Sequence, residues 1–285
     1  MKRADPRVFQ IVSLASLLAY GMALRGFDLT PARALLLLGA VLATQWACGR
    51  VASVAFEPKS ALISGLSLCL LLRTNSDALA VMTAMLTIAS KFLFRIRGKH
   101  IFNPTNLGIV AMMLLTGEVW VSPGQWGNVA LLAFLIVSLG SLVVNRAARG
   151  DVTLAFLTLW CGTLVARALR LGDPLVIPLH QLQSGALLLF SFFMISDPKT
   201  TPDSRAGRIL FAALVAGGAW YVQFKLFRPN GLLWSLAAVS LLVPLIDRLL
   251  PGSRYDWRLP RPTPRRHDAP SRSVPDLMPA AAELA

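Results

Sequence analysis

The sequence is poor in the residues from which metal and haem sites are built, with 3 cysteines and 3 histidines among 285 residues. Cys48, Cys69 and Cys161 each lie in an apolar run, without C-x-x-C spacing or a nearby histidine. Neither a zinc site nor a disulfide framework is therefore expected. His100 and His180 fall near opposite faces of the predicted helical bundle, so they cannot provide paired axial ligands for a haem.

The sequence also offers no grouping of serine, histidine and acid for nucleophilic catalysis, and we predict no catalytic residues. Acidic residues are scarce, 14 against 28 lysines and arginines, which gives a net charge of +14. A basic chain can bind nucleic acid, but here the basic residues lie between apolar runs or in the C-terminal tail. Nucleic-acid binding is not expected.

Apolar residues are abundant. The chain is 55% hydrophobic with a mean hydropathy of +0.61, which is typical of a polytopic helical membrane protein. The first apolar run, residues 8–24, is longer than a signal-peptide core and lacks a clear cleavage site, so it is predicted to be an uncleaved helix. In all, ten helical segments are predicted, at 8–25, 32–52, 60–73, 77–93, 104–121, 127–145, 152–169, 182–196, 208–226 and 230–249.

The distribution of basic residues predicts the orientation of this all-α fold. If every segment crosses, most lysines and arginines fall on the side of the N-terminus, which favours cytoplasmic N- and C-termini in a bacterial inner membrane. Residues 1–250 are predicted to form the transmembrane domain. Residues 251–285, rich in proline and arginine, are predicted to be a disordered cytoplasmic tail.

Segments three and eight are too short to span a bilayer as plain helices. Segment eight is apolar only over residues 185–195, about half the length that a hydrocarbon core of roughly 30 Å requires. Asp197-Pro198-Lys199 should end it near Ser196. Such an end inside the membrane must be buried in protein or line a wet cavity. Asp197 is expected to pair with Arg208 or Lys199 and to serve an ion path, or else to mark a plain interfacial helix end.

A weak internal sequence repeat relates the two short segments, since Ser64-Gly65 in segment three recurs as Ser184-Gly185 in segment eight. It favours two inverted five-helix repeats, at about 8–121 and 127–249, with short broken helices at matching positions. An ion path is then predicted past both Ser-Gly pairs. Asp197, Lys199 and Thr200 would shape its inner mouth. The alternative is that the Ser-Gly pairs only let helices pack closely in lipid.

A basic run, residues 91–99, precedes Asn103-Pro104-Thr105-Asn106, which has the pattern of a helix start with proline at its first position. A helix N-terminus beside cations suits a flavin phosphate or an acidic partner. Asn103, Thr105 and Asn106 are thus predicted to face a cofactor or ion. The basic run can equally serve only as a topological anchor.

Two motifs carry a family resemblance. KHIFNPTNLG at residues 99–108, and FFMISDPKT at residues 192–200 followed by Gly207-Arg208, resemble elements of the RnfD/NqrB family. These are membrane subunits of the Rnf electron transport complex and of the sodium-pumping NADH:quinone oxidoreductase. The resemblance covers about residues 8–250. It implies a ten-helix inverted-repeat fold, other redox subunits as partners, and flavin-based electron transfer coupled to cation translocation.

The loop after segment five departs from that family. Residues 116–127, TGEVWVSPGQWG, lack the S-G-A-T type sequence that carries covalent FMN in the family. Covalent flavinylation is therefore not expected, and any FMN or riboflavin would bind non-covalently. The chain also resembles short stand-alone relatives such as UnbU-like proteins. Two alternatives follow: a redox-inert ion or small-solute channel or transporter of the same fold, and an accessory membrane protein of a biosynthetic pathway.

Overall fold

The computed structural model describes residues 5–122 and 130–255, which are mostly helical. Their α-helices are α1 (Pro6–Leu24), α2 (Pro31–Val51), α3 (Pro58–Leu71), α4 (Asp77–Leu93), α5 (Pro104–Thr116), α6 (Ala130–Ala147), α7 (Gly150–Leu171), α8 (Val176–Leu182), α9 (Gly185–Leu189), α10 (Arg205–Phe224), α11 (Gly231–Ser240) and α12 (Val243–Leu249). A π-helical segment, Phe190–Met194, continues α9. The strands are β1 (Leu72–Thr74), β2 (Arg95–Ile96), β3 (Lys99–His100) and β4 (Val119–Val121).

Local sequence explains where half of these twelve helices begin. Helices α1, α2, α3 and α5 each start with a proline, which lacks an N–H that the first turn could not pair in any case. Ser76 and Ser204 cap α4 and α10 by accepting backbone N–H groups of Leu79 and Gly207. The residues at these helix starts, proline at the first position or serine as the N-cap, thus fix where the helices begin.

Four of the described helices, α1, α2, α7 and α10, are long and apolar enough to cross a membrane. Two further spans are possible if each bent pair counts as one: α8 with α9 and the π-helical segment, bent by 49°, and α11 with α12, bent by 53°. The exposed large apolar side chains, such as Leu35, Leu154 and Leu169, suit contact with lipid. The predicted mostly helical membrane architecture is confirmed at this level.

The short segments three and eight are also confirmed. Helix α3 has 14 residues and continues as strand β1, while α9 and the π-helical segment together run only from Gly185 to Met194. Strand β1 pairs antiparallel with β4, Leu72 opposite Val121 and Thr74 opposite Val119. Segment three is therefore a half-helix followed by an extended piece.

Several predicted boundaries are wrong. Segment eight, predicted at 182–196, is preceded by the separate helix α8, and the chain bends at residues 183–184. Segment ten, predicted as one helix over 230–249, bends between α11 and α12, where Pro244 cannot donate a helical hydrogen bond. Segment five ends at Thr116 because Gly117 takes a left-handed conformation at φ 67°. The predicted tail falls largely on residues 256–285, outside the described residues.

The helix contacts follow the same scheme in both parts of the chain. In the first, α3 packs against α1 and α2, α2 against α4, and α4 against α5. In the second, α9 and the π-helical segment pack against α6, α7 against α10, and α10 against α11. Contacts between α1 and α6 and between α5 and α11 join the two sets. The short elements α3 and α9 thus occupy corresponding places.

Candidate functional site

The π-helical segment ends in a tight, buried loop organised by Asp197. The Asp197 carboxylate accepts the backbone N–H of Lys199 at 3.0 Å, and its carbonyl accepts those of Thr200 and Thr201. Ser196 donates its hydroxyl to the Phe192 carbonyl at 2.5 Å. The predicted helix stop near Ser196 is confirmed, and the loop satisfies several of the polar groups that the break would leave unpaired.

Asn103 joins the start of α5 to this loop. Its side-chain oxygen accepts the N–H of Asn106 at 3.1 Å, which confirms the predicted helix start. Its amide nitrogen lies 3.4 Å from the Met194 carbonyl oxygen and 3.5 Å from an Asp197 carboxylate oxygen. Asn103 is 6% exposed, so the helix cap and the broken helix end share one buried amide.

The polar contacts continue from α5 into α3 and α4. Thr105 donates to the Ser64 carbonyl at 3.5 Å, and Ser64 donates to the Ser60 carbonyl at 3.2 Å. The Lys91 ammonium donates to the Ser60 carbonyl at 2.9 Å and to its hydroxyl at 3.1 Å. We call the following residues the polar cluster: Ser60, Ser64, Lys91, Asn103, Thr105 and Asp197.

Asn106 lies beside the cluster, where α5 crosses α11. Its amide nitrogen donates to the Leu233 carbonyl at 3.2 Å. Its side-chain oxygen, by contrast, is buried without a donor from any described residue, and the side chain is 1% exposed. Because an unpaired buried oxygen is costly, this position favours a water or cation as its partner.

The predicted partner of Asp197 is partly wrong. Arg208 instead binds the Asp151 carboxylate, with its Nε 2.9 Å from both carboxylate oxygens. Lys199 bonds Asp197 only through its backbone, while its ammonium donates to the Tyr255 carbonyl at 3.3 Å. The charges that act on Asp197 are those of Lys91, Lys199 and Arg149, and Lys91 comes from the other half of the chain.

The two Ser-Gly pairs occupy different surroundings. Ser64 belongs to the polar cluster, but Gly65 faces α2, where an added Cβ would lie 2.7 Å from a Val41 methyl carbon. Ser184 and Gly185 start α9, at the opposite end of that half-helix from Asp197. The structure therefore brings Ser64, Asn103, Thr105 and Asp197 together, but not Ser184 and Gly185. Thr200, 4% exposed, donates to the Asp197 carbonyl at 3.3 Å.

A cavity of about 380 Å³ lies along α9 and the start of α11. Its wall is mostly apolar and includes the aromatic rings of Trp160 and Phe190. Polar groups come from Gln181, Ser184, Gln223 and Asn230. Apolar walls with a few polar groups are typical of sites for small neutral ligands, so Ser184 faces a ligand-sized space and not the polar cluster.

The basic hairpin β2–β3 is tied to the second half of the chain. Lys99 forms ion pairs with Asp203 at 2.9 Å and Asp247 at 2.6 Å. Burial, together with the positive charges of Arg95, Lys91 and Lys199, lowers the pKa of His100 from 6.5 to about 4. The cations at Lys91 and Lys99 thus already contact protein groups.

Sequence reasoning missed Lys91, Ser60 and Asp151. Lys91 sits in the last turn of an otherwise apolar helix, a position that a topological anchor alone would explain. Its burial at 5% exposure is the sign of a different role. A single lysine on the apolar face of a predicted helix could have indicated it.

Comparison with known proteins shows the family to which this chain belongs. A sequence model of the NQR2, RnfD, RnfE family matches residues 111–256, which include the Asp197 loop. The chain belongs to this family. A subunit of the ion-translocating oxidoreductase complex of Escherichia coli O1:K1 / APEC is 32% identical over 134 residues, 47% of this chain and 36% of that protein. The corresponding protein of Citrobacter koseri is 32% identical over 135 residues.

This family member thus matches about a third of the length of those curated relatives. The match confirms the resemblance that the two motifs predict. Of those motifs, the matched region contains FFMISDPKT, while the Asn103 motif precedes it. The polar cluster therefore combines residues from inside and outside the matched region.

Proposed function

We propose that the protein is a membrane component of an ion-translocating oxidoreductase complex, in which electron transfer is coupled to the movement of a small cation. The family supports this proposal, since the curated relatives are named as subunits of such a complex. Other membrane or redox subunits are then its partners. We place it in a bacterial inner membrane with both termini cytoplasmic, because of the basic residues on that side.

We further propose that the described helices form two inverted five-helix repeats, with α8 and α12 as extensions of broken spans. The repeated contact scheme supports this: α1, α2, α3, α4 and α5 correspond to α6, α7, α9, α10 and α11. The contacts of α1 with α6 and of α5 with α11 then join equivalent helices. Half-helices at matching places in inverted repeats are typical of ion paths near the bilayer midplane.

The observation that carries the proposal is the polar cluster where α3, α5 and the π-helical segment meet. Asp197 supplies a carboxylate at a helix break, and Asn103 holds it beside the Met194 carbonyl. Carboxylate, carbonyl and hydroxyl oxygens are the ligands that hard cations prefer. We assign the cation path to this cluster and onward to the unpaired Asn106 oxygen, with Lys199 and Thr200 shaping its mouth.

A flavin fits the cavity better than it fits Asn103, Thr105 and Asn106. Those three side chains are at most 6% exposed and contact protein carbonyls. The cavity offers aromatic surface and side-chain amides, which suit an isoalloxazine ring, but none of its described lining residues is a lysine or arginine that could hold a phosphate. We therefore favour riboflavin over FMN, bound non-covalently. A bound flavin would supply one-electron and two-electron redox chemistry beside the helix break.

Purification of the tagged full chain from gently solubilised membranes tests the proposal. We expect redox subunits to co-purify and flavin absorbance near about 450 nm to accompany the complex. Reconstituted into vesicles, the complex should accumulate Na⁺ or H⁺ when a reductant and an electron acceptor are added together. A chain that purifies alone, without flavin and without reductant-dependent cation uptake, would overturn it.

A further inference from the structure

Lys91 has an unusual position for a cation, at the buried end of an apolar helix. It is 5% exposed in the last turn of α4, and its ammonium reaches the Ser60 carbonyl and hydroxyl of α3. No acid among the described residues lies within the 4.0 Å of an ion pair with it. A charge buried in the protein in this way is costly unless it has a function or a partner.

Asp197 is the acid whose charge acts on Lys91. The Asp197 carboxylate receives the Lys199 N–H at 3.0 Å and lies 3.5 Å from the Asn103 amide nitrogen, but no described cation is in direct contact with it. The two opposite charges thus face the same polar cluster from different halves of the chain, each held by neutral groups.

We infer that Lys91 is a built-in competitor of the transported cation, held on Ser60, that weakens cation binding at Asp197. This inference rests on the proposed cation path. The ammonium and a small cation such as Na⁺ seek the same oxygen ligands, and like charges repel strongly in a medium of low dielectric constant. A path needs sites that bind a cation without retaining it. Lys91 supplies the repulsion that permits release.

Ser60 sets the strength of this competition. Its two oxygens keep the ammonium on α3 and away from the Asp197 carboxylate. A lysine side chain is long and flexible, so the loss of one Ser60 acceptor would let the ammonium shift toward Asp197. Cation binding at Asp197 would then become weaker.

Na⁺ binding to the purified full chain in detergent tests the inference. The readout is the rise in thermal midpoint with NaCl, at an ionic strength kept constant with choline chloride. We expect Lys91→Met to tighten the apparent Na⁺ affinity about tenfold or more, because a neighbouring positive charge is removed. Lys91→Arg keeps the charge and should not show this gain in Na⁺ affinity.

Asp197→Asn separates the inference from the proposed function. If this variant loses the Na⁺ response and Lys91→Met leaves the affinity unchanged or weaker, Lys91 is not a competitor, while the path survives. If Asp197→Asn responds to Na⁺ as the wild type does, the path through Asp197 fails as well. Should Lys91→Met not fold, Lys91→Gln gives a second test: we expect tighter Na⁺ binding, and unchanged or weaker binding would overturn the inference.

Discussion

The side-chain amide of Asn103 donates to the backbone carbonyl of Met194, 91 residues further along the chain, at 3.4 Å. One residue thereby caps helix α5 and adds a second donor to a carbonyl at the helix break of the other half, which also accepts the Asp197 N–H. The two motifs that resemble the family are therefore in contact. The stability of the break should depend on this one amide.

Asn103→Ala is expected to destabilise the protein by about 2–3 kcal/mol, because it removes a helix cap and leaves the Met194 carbonyl without its side-chain donor. Thermal unfolding in detergent measures the effect. Ser76→Ala is the matched control, since Ser76 only caps α4 through the Leu79 N–H, and should cost about 1 kcal/mol. Equal losses in the two variants would show that the contact with Met194 contributes nothing.

Gly140→Ala should destabilise the π-helical segment. A Cβ at Gly140 of α6 would lie 2.5 Å from the Phe192 ring, so the ring or the helix must shift, at a cost of about 1–3 kcal/mol. Gly39→Ala provides the control because nothing lies within 4 Å of its added Cβ. That variant should be neutral or slightly stabilising, since alanine favours helix. A Gly140→Ala protein as stable as Gly39→Ala would contradict the close packing of α6.

The Arg208–Asp151 pair should show strong coupling in a double-mutant cycle. The side chains are 11% and 17% exposed, and Arg208 contacts both carboxylate oxygens. Removal of either partner alone leaves a poorly solvated charge, so we expect a coupling energy of about 2 kcal/mol or more.

The same cycle on Arg33 and Asp77 is its control. Their side chains are 27% and 64% exposed, and the coupling should stay below about 1 kcal/mol. Both cycles use alanine variants and thermal unfolding in detergent. Equal coupling energies in the two pairs would contradict the claim that burial strengthens the interaction between Arg208 and Asp151.

His100 should make stability depend on pH. Its pKa of about 4 in the folded state lies below the usual 6.5, so the folded state favours the neutral form of the imidazole. This contribution is complete above pH 6.5 and is lost as the pH falls from about 6.5 towards 4, by about 2–3 kcal/mol in total. Unfolding midpoints at several pH values should therefore fall less steeply in His100→Gln. An unchanged pH slope in that variant would contradict the assignment.

Local signals predicted the parts of the site that local chemistry fixes. Asp197-Pro198 ends a helix wherever it occurs, and Asn103 before Pro104 starts one, so both features follow from sequence. The second break, at α11–α12, could have been predicted from Pro244 but was hidden in a long apolar run. The π-helical geometry of Phe190–Met194 has no such local signal.

Partners that are distant in sequence could not be predicted in the same way. Arg208 is close to Asp197 in sequence, yet it binds Asp151 because α7 and α10 pack together. Lys91 reaches Ser60 only because α4 lies against α3. The repeated Ser-Gly pairs in the sequence indicated two related halves. The two serines nevertheless occupy different positions along their helices, because Ser64 lies within α3 and Ser184 lies at the start of α9.

The path itself is tested most directly by ²²Na⁺ uptake into vesicles that contain the assembled complex, driven by electron transfer from an added reductant to an added electron acceptor. We compare Asp197→Asn with Asp77→Asn, whose side chain is 64% exposed at the start of α4. Asp197→Asn should lower the uptake at least about tenfold, because the loss of a carboxylate ligand is worth roughly 1.4 kcal/mol or more. Asp77→Asn should keep the wild-type rate. Undiminished uptake by Asp197→Asn would contradict a cation path through the polar cluster.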